Sequence, residues 1–262
     1  ARSINARARL STLVMVEKRK RKSGKAEQAA VAHGAGCLVA STRGIRARHR
    51  HLMRDLTRLL PHGLPHSKVD TDEAGLGGMA ALCEENDCST SLLLDARDPR
   101  RLYMWVGGCP DGPTAMFRVM NIHTVAELKL EARRVLGARN VVVFDSSFGQ
   151  TADRRVMRAL LSRAFAVPRR HRGDGGGSGD GGGGSGDAAG SAGASGAKHA
   201  AARHSVSFSW LDGRVWMRVY RIQEAVGGGG VLDVAEIGPR LVLAPVRIIA
   251  SGFGGAVLHA AN

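Results

Sequence analysis

Between residues 43 and 61 the chain carries six arginines (Arg43, Arg46, Arg48, Arg50, Arg54 and Arg58), His49 and His51, and a single acid, Asp55. Guanidinium groups present forked N–H donors that match pairs of phosphate oxygens. Six of them in one segment repel each other, and a polyanion relieves that repulsion. Read as a helix at roughly 100° per residue, the segment gathers Ile45, Leu52, Met53, Leu56, Leu59 and Leu60 on one face. Arg43, Arg46, Arg50, Arg54 and Arg58 form a stripe nearly opposite, with His51 at its border. Such a helix packs through its leucines and holds a rigid row of cations towards solvent. A nucleic-acid backbone is the natural partner, and a solvated basic face is the alternative. His49 and His51 sit among cations that discourage metal binding and protonation, which leaves hydrogen bonding or stacking on RNA, or plain exposure.

Other chemistry finds less support. The 262 residues hold 38 Lys and Arg against 23 Asp and Glu, a formal charge of +15 that favours an acidic partner. Only seven of the basic residues are Lys, an Arg bias that base composition alone can produce, so the clustering of charge counts for more than its total. No Gly-x-x-x-x-Gly-Lys-Ser/Thr phosphate loop is present, and Gly34-x-Gly36 precedes a strand instead of following one. Asp70, Asp72 and Glu73 suit a loop and an acidic helix start better than a nuclease metal site. Cys37, Cys83, Cys88 and Cys109 lack the spacing of a zinc site or a disulfide framework and read as buried free thiols. No cofactor, metal or catalytic group is expected. The longest apolar run, Leu241 to Ala250, is interrupted by Pro245 and Arg247, and no signal-peptide core stands near the start. A soluble protein of a reducing compartment is the expectation.

The elements that must position the arginines can be placed from pattern. Residues 1–35 form a basic extension with the run Lys18-Arg19-Lys20-Arg21-Lys22, either a localisation or phosphate-binding arm or a disordered tail. Gly36 to Ser41 reads as a buried strand, and Pro61 ends the arginine helix. Thr71 to Glu85 has helical spacing. Ser91 to Ala96 and Arg101 to Val106 read as paired strands, and Thr114 to Ile122 as another. Thr124 and Glu127 have capping-box spacing, Val141 to Asp145 reads as a buried strand, and Thr151 to Phe165 as a helix. Residues 171–203 are dominated by Gly, Ser, Asp and Ala and read as a flexible linker. It divides a first half, 36–170, from a second, 204–262. There, Ser205 to Leu211 and Arg214 to Ile222 flank a hairpin turn at Asp212-Gly213, and Val231 to Ile237 and Leu241 to Ile249 complete the strands. Each half has Trp-bearing strands (Trp105; Trp210 and Trp216) and a Gly-Pro step (Gly112-Pro113; Gly238-Pro239), which suggests two related α/β lobes. The tryptophans alternate with apolar neighbours and suit core packing better than base stacking.

These residues resemble the Brix family of ribosome-assembly factors. The matching pieces include Ser41-Thr42-Arg43-Gly44-Ile45, Arg48-His49-Arg50-His51-Leu52-Met53-Arg54-Asp55-Leu56, Asp95-Ala96-Arg97, Gly112-Pro113-Thr114 and Asn121-Ile122-His123-Thr124. In the second half they are Ser207-Phe208-Ser209, Arg214-Val215-Trp216, Glu236-Ile237-Gly238-Pro239-Arg240 and Gly252-Phe253-Gly254-Gly255. The resemblance implies a two-lobed α/β fold, each lobe similar to the anticodon-binding domains of tRNA synthetases. It implies a non-catalytic, nucleolar factor that binds pre-ribosomal RNA, is required for rRNA processing and assembly of the large ribosomal subunit, and has an EBNA-binding-protein-type factor as direct partner among other assembly factors and ribosomal proteins. An Imp-type factor of the small-subunit processome, binding a small nucleolar RNA, is the alternative within the family, and a tRNA-binding module the alternative outside it. The candidate RNA contacts are Arg43, Arg46, Arg48, His49, Arg50, His51, Arg54, Arg58, Lys68 and Arg240; for Arg240 a structural salt bridge is the competing role. Three features depart from the family pattern: the long Gly/Ser segment, Met116 where lysine is common, and Pro245, which should mark an edge or a bulge.

Overall fold

A computed structural model describes residues 36–69, 76, 78–129, 139–167, 203–224 and 232–261. The basic extension, the acids Asp70, Asp72 and Glu73, and the Gly/Ser-rich segment up to residue 202 lie outside the described residues. What is described is the mixed α/β class expected: one 11-stranded sheet with helices packed against it.

The first strand, β1 (Gly36–Thr42), is buried on both faces. Cys37 and Val39 enter one apolar cluster and Leu38 and Ala40 the other, because strand side chains alternate. The arginine helix α1 (Ala47–Leu59) follows, then β2 (Gly63–Val69), α2 (Gly78–Glu85), β3 (Cys88–Asp95), β4 (Tyr103–Gly108) and β5 (Thr114–His123). β1 runs parallel to both β2 and β3, and β3, β4 and β5 form an antiparallel meander. After a short helix α3 (Val125–Leu128) come β6 (Asn140–Phe144), a 3-10 turn (Ser146–Gly149), helix α4 (Ala152–Phe165), β7 (His204–Leu211), β8 (Arg214–Glu224), β9 (Leu232–Glu236), β10 (Arg240–Ile249) and β11 (Val257–Ala260).

The second half repeats the first. β6 is parallel to β7, and β7, β8 and β10 form a meander, as β1 and β3 to β5 do. The last strands of the two meanders, β5 and β10, pair antiparallel from Arg240↔His123 to Ile249↔Thr114 and join the halves. The matched Gly-Pro steps immediately precede these two strands, and Trp105 and Trp216 occupy the equivalent middle strands. β6, which precedes the Gly/Ser-rich stretch in the chain, thus pairs with β7, which follows it.

The sequence analysis assigns no element to residues 63–69, where β2 forms; with Pro65 in its middle it is the outermost strand of the sheet, where a missing N–H costs little. The pattern of Val141 to Asp145 reads as a buried strand, and this expectation is corrected. β6 is the opposite edge, so Val142 and Phe144 face the core while Val141 and Val143 are 44% and 45% exposed. Pro245 lies at a bulge: the β10–β5 register shifts between Pro245 and Arg247, and β8 pairs only with Leu241 to Leu243. Asp212 and Gly213 both have positive φ (52° and 70°), as a tight primed turn between right-twisted strands requires.

The larger core takes Leu52, Leu56 and Leu59 from α1 and Met157, Leu160, Leu161 and Phe165 from α4, against β-strand residues of both halves. The smaller one, on the other face, holds Trp105, Phe253 and Cys83. Trp105 is a core residue as expected; Trp210 is only half-buried, with the Arg154 guanidinium 4.3 Å above its ring.

Candidate nucleic-acid interface

Helix α1 is fixed to the scaffold by the face opposite its arginines. Leu52, Leu56 and Leu59 are fully buried, and Asp55, only 7% exposed, lies among them. Its Oδ2 accepts the backbone N–H of Val125 at 2.9 Å, where α3 begins. Burial pushes the Asp55 carboxyl above its ordinary range, against the pull of that N–H and of Arg58, His51 and Arg54. At the end of the helix the Asn140 side-chain amide donates to the Leu59 carbonyl at 2.9 Å, so α1 is held by both halves of the sheet. α3 is itself secured by the capping box: Glu127 Oε2 accepts the Thr124 N–H at 2.9 Å, and Thr124 Oγ1 accepts the Glu127 N–H at 3.3 Å.

The arginines do not form one stripe. Arg43, Arg50, Arg54 and Arg58 border a groove of about 1040 Å³ floored by Ile45, Met53 and Pro65. Arg46, Arg48 and His49 instead line a separate cleft of about 470 Å³ with Arg100, Arg101 and Arg118. Regular helix starts only at Ala47. Arg46 is its N-cap, with extended backbone (φ −73°, ψ 162°), so helical spacing does not carry it onto the row. The Arg46 guanidinium donates to the Pro99 carbonyl, reaching the β3–β4 loop.

The candidate residues differ in what already occupies them. Arg50 donates to the Ile45 carbonyl at 2.9 Å and bends along the groove. Arg54, Arg58 and His51 are exposed. Arg48 donates to the Ile122 carbonyl and pairs with Glu127, Nε to Oε1 at 2.9 Å. The Thr124 N–H first, and Arg48 with it, hold the Glu127 carboxyl below its usual range. His49 is half-buried; its Nδ1 is shielded and has no hydrogen-bond partner, and burial together with Arg46 and Arg48 lowers its pKa, which keeps the ring neutral at physiological pH. Arg240 lies on β10 in a two-pronged pair with Glu236 at 2.6 and 2.7 Å, joined by Arg218 at 3.2 Å. That is the salt-bridge role weighed against RNA contact for this residue. Lys68 lies on β2, and its side chain is outside the described residues. Arg100, Arg101 and Arg118 went unnoticed in the sequence. The doublet after Asp98-Pro99 was visible, but its meeting with α1 and β5 depends on long-range folding.

Comparison with known proteins places this geometry. The Brix domain model matches residues 42–179, from the end of β1 through α1 and both arginine-lined concavities. The ribosome biogenesis protein BRX1 homolog of Xenopus laevis is 33% identical over 222 residues, covering 85% of this chain and 57% of the relative. Its Homo sapiens counterpart is 32% identical, covering 85% of this chain and 54% of the relative. The chain belongs to the Brix domain family. It spans about half the length of the curated relatives it matches. The Brix match ends within the Gly/Ser-rich segment, before β7. A crystal structure of a probable ribosomal biogenesis protein from Aeropyrum pernix aligns with a TM-score of 0.49 at 16% identity, over 80% of this chain and 95% of that one.

Proposed function

We propose that this chain is a ribosome biogenesis factor that binds pre-ribosomal RNA, without catalysis, during assembly of the large ribosomal subunit in the nucleolus. The observation that carries the RNA reading is the row Arg50, Arg54 and Arg58 with Arg43, presented along one groove by a helix whose other face is locked into the core. Residues four apart on a helix rise about 6 Å together, close to the separation of successive phosphates along a strand. The row thus meets a backbone in register without ordering long side chains from a mobile loop. Recognition of this kind reads backbone shape and charge, with little sequence information.

The relatives' names support the ribosome-biogenesis role. The large-subunit branch is supported by Arg48-His49-Arg50-His51-Leu52-Met53, which resembles that branch of the family and differs from its Imp-type members. An EBNA-binding-protein-type factor is the partner this reading implies. Its function is placement: holding an RNA segment while other factors fold or cleave it. Crosslinking of RNA to the chain in cells, with the sites mapped, tests this. Crosslinks to large-subunit precursor RNA through α1, with stalled large-subunit precursors on depletion, are expected. A selective small-subunit defect, with crosslinks to a small nucleolar RNA, would move the assignment to the Imp-type branch.

A further inference from the structure

The smaller cleft is not explained by the row. It brings together five guanidinium groups from three parts of the fold: Arg46 and Arg48 at the start of α1, Arg100 and Arg101 on the β3–β4 loop, and Arg118 on β5. Among the described residues only Arg48 of the five forms an ion pair. The other partners are weak or neutral: Arg46 reaches a carbonyl, and Arg118 Nε lies 3.0 Å from the Met120 sulfur. Arg101 bonds the Tyr103 side chain and feels the charge of Asp98, the one carboxylate in the lining, whose Oδ1 also accepts the Arg100 N–H at 2.8 Å; one carboxylate leaves most of the five positive charges uncompensated. The first turn of α1 has no acid and its N-cap makes no side-chain hydrogen bond, so the positive end of the helix adds to the field. The neutral His49 ring borders the same cleft, with its Nδ1 buried. A concentration of guanidinium charge with a neutral planar ring at its edge suits a group carrying both a phosphate and a flat base.

The geometry points to this cleft as a nucleotide-phosphate site, one nucleotide in size, distinct from the row on α1. Its volume, about 470 Å³, admits a single nucleotide, and a base enters it only from an unpaired strand. Gly44 borders both the cleft and the groove. With φ +82° and no side chain, it forms a low saddle between them. A strand lying along Arg50, Arg54 and Arg58 crosses this saddle and delivers its next phosphate to Arg46, Arg100, Arg101 and Arg118. The His49 ring, held neutral at the cleft's border, stacks on the base. An acidic peptide brings single carboxylate charges spaced along a chain, a poorer match to five guanidinium groups around one cleft than the clustered oxygens of a phosphate. The path across Gly44 rests on the RNA reading of α1; the nucleotide site does not.

Two variants separate the concavities. In the first, Arg100→Ala, Arg101→Ala and Arg118→Ala empty the cleft and leave α1 intact. In the second, Arg50→Gln, Arg54→Gln and Arg58→Gln discharge the row and leave the cleft. Calorimetric titration of the full chain with AMP and with inorganic phosphate should show saturable binding in the wild type, weakened at least about tenfold in the cleft variant and unchanged in the row variant. Single-stranded RNA should lose affinity with either variant and duplex RNA only with the row variant. Equal melting temperatures establish that folding is intact, and Arg118→Lys alone, keeping charge without the fork, should fall between wild type and the cleft variant. AMP binding that ignores the cleft variant, no saturable AMP binding at all, or a glutamate-rich peptide outcompeting AMP in the cleft would each overturn the site. If no RNA binds while cleft-dependent AMP binding persists, the RNA reading of α1 fails and the nucleotide site stands.

Discussion

Asp55 is the residue whose substitution tests how α1 is held. It is the only acid in the arginine segment, yet it is 7% exposed and serves the Val125 N–H. Asp55→Ala leaves that donor buried and without a partner. The loss of a buried hydrogen bond with desolvation of the donor costs about 1–3 kcal/mol. At roughly 2–4 °C per kcal/mol for a chain of this size, the melting temperature should fall by about 2–12 °C. Asp55→Asn behaves differently, because Asn keeps an acceptor oxygen and has no charge to desolvate. The folded carboxyl titrates above its ordinary value of 3.8. The folded state therefore holds the proton more tightly than the unfolded one. The stability that protonation supplies is complete below pH 3.8 and is lost as the pH rises through the folded value. Asparagine does not suffer that loss, so Asp55→Asn should match or exceed the wild type at pH 7 and have less advantage at pH 4. Thermal denaturation at both pH values measures this. If Asn lowers the melting temperature more at pH 7 than at pH 4, the carboxylate is a net stabilising ion and the account of this residue is wrong.

Glu236 should show the opposite pH dependence: its pairing with Arg240, foremost, and with Arg218 lowers its pKa, so the pair stabilises above the ordinary value of 4.5 and is lost on acidification through the folded value. Glu236→Gln should cost roughly 1 kcal/mol at pH 7, the pair being partly exposed, and nothing measurable once the wild-type carboxyl is protonated. Cys37 is fully buried and its thiol is pushed up to about 12 by burial, so at pH 8 a thiol reagent should label it only at the rate of unfolding. Labelling in the native state, read by mass spectrometry, would contradict that burial.

Local signals in the sequence carried well into the structure. The Thr124–Glu127 box, the Asp212-Gly213 turn, the bulge at Pro245 and the leucine face of α1 each depend on neighbouring residues and stand as read. What escaped depends on position in the sheet. Val141 to Phe144 reads as a central strand until β6 is known to be an edge, and Gly63 to Val69 reads as no strand until β1 supplies its partner. Asp55 was counted against the arginines, although its place between Leu52 and Leu56 on the apolar face was a visible sign of a buried role. In the candidate site, Arg50, Arg54 and Arg58 were legible from helical spacing, whereas Arg43 borders the groove from the turn before α1. Arg46 departs from the stripe because helical geometry starts one residue later, and Arg100, Arg101 and Arg118 join the cleft through tertiary contacts with no sequence spacing to reveal them.

The central claim is that Arg50, Arg54 and Arg58 neutralise RNA phosphates. Each phosphate contact releases condensed counterions, so affinity falls with salt along a slope of roughly 0.7 per contact for single strands and 0.9 for a duplex. The decisive measurement is the RNA affinity of the full chain across a salt titration, for the wild type and for the variant carrying Arg50→Gln, Arg54→Gln and Arg58→Gln. The leucine face is untouched, so folding should be unchanged while affinity drops and the log–log slope becomes shallower by roughly 2 to 3. Unchanged affinity and an unchanged slope would show that the row is a solvated surface and that RNA, if bound at all, is bound elsewhere.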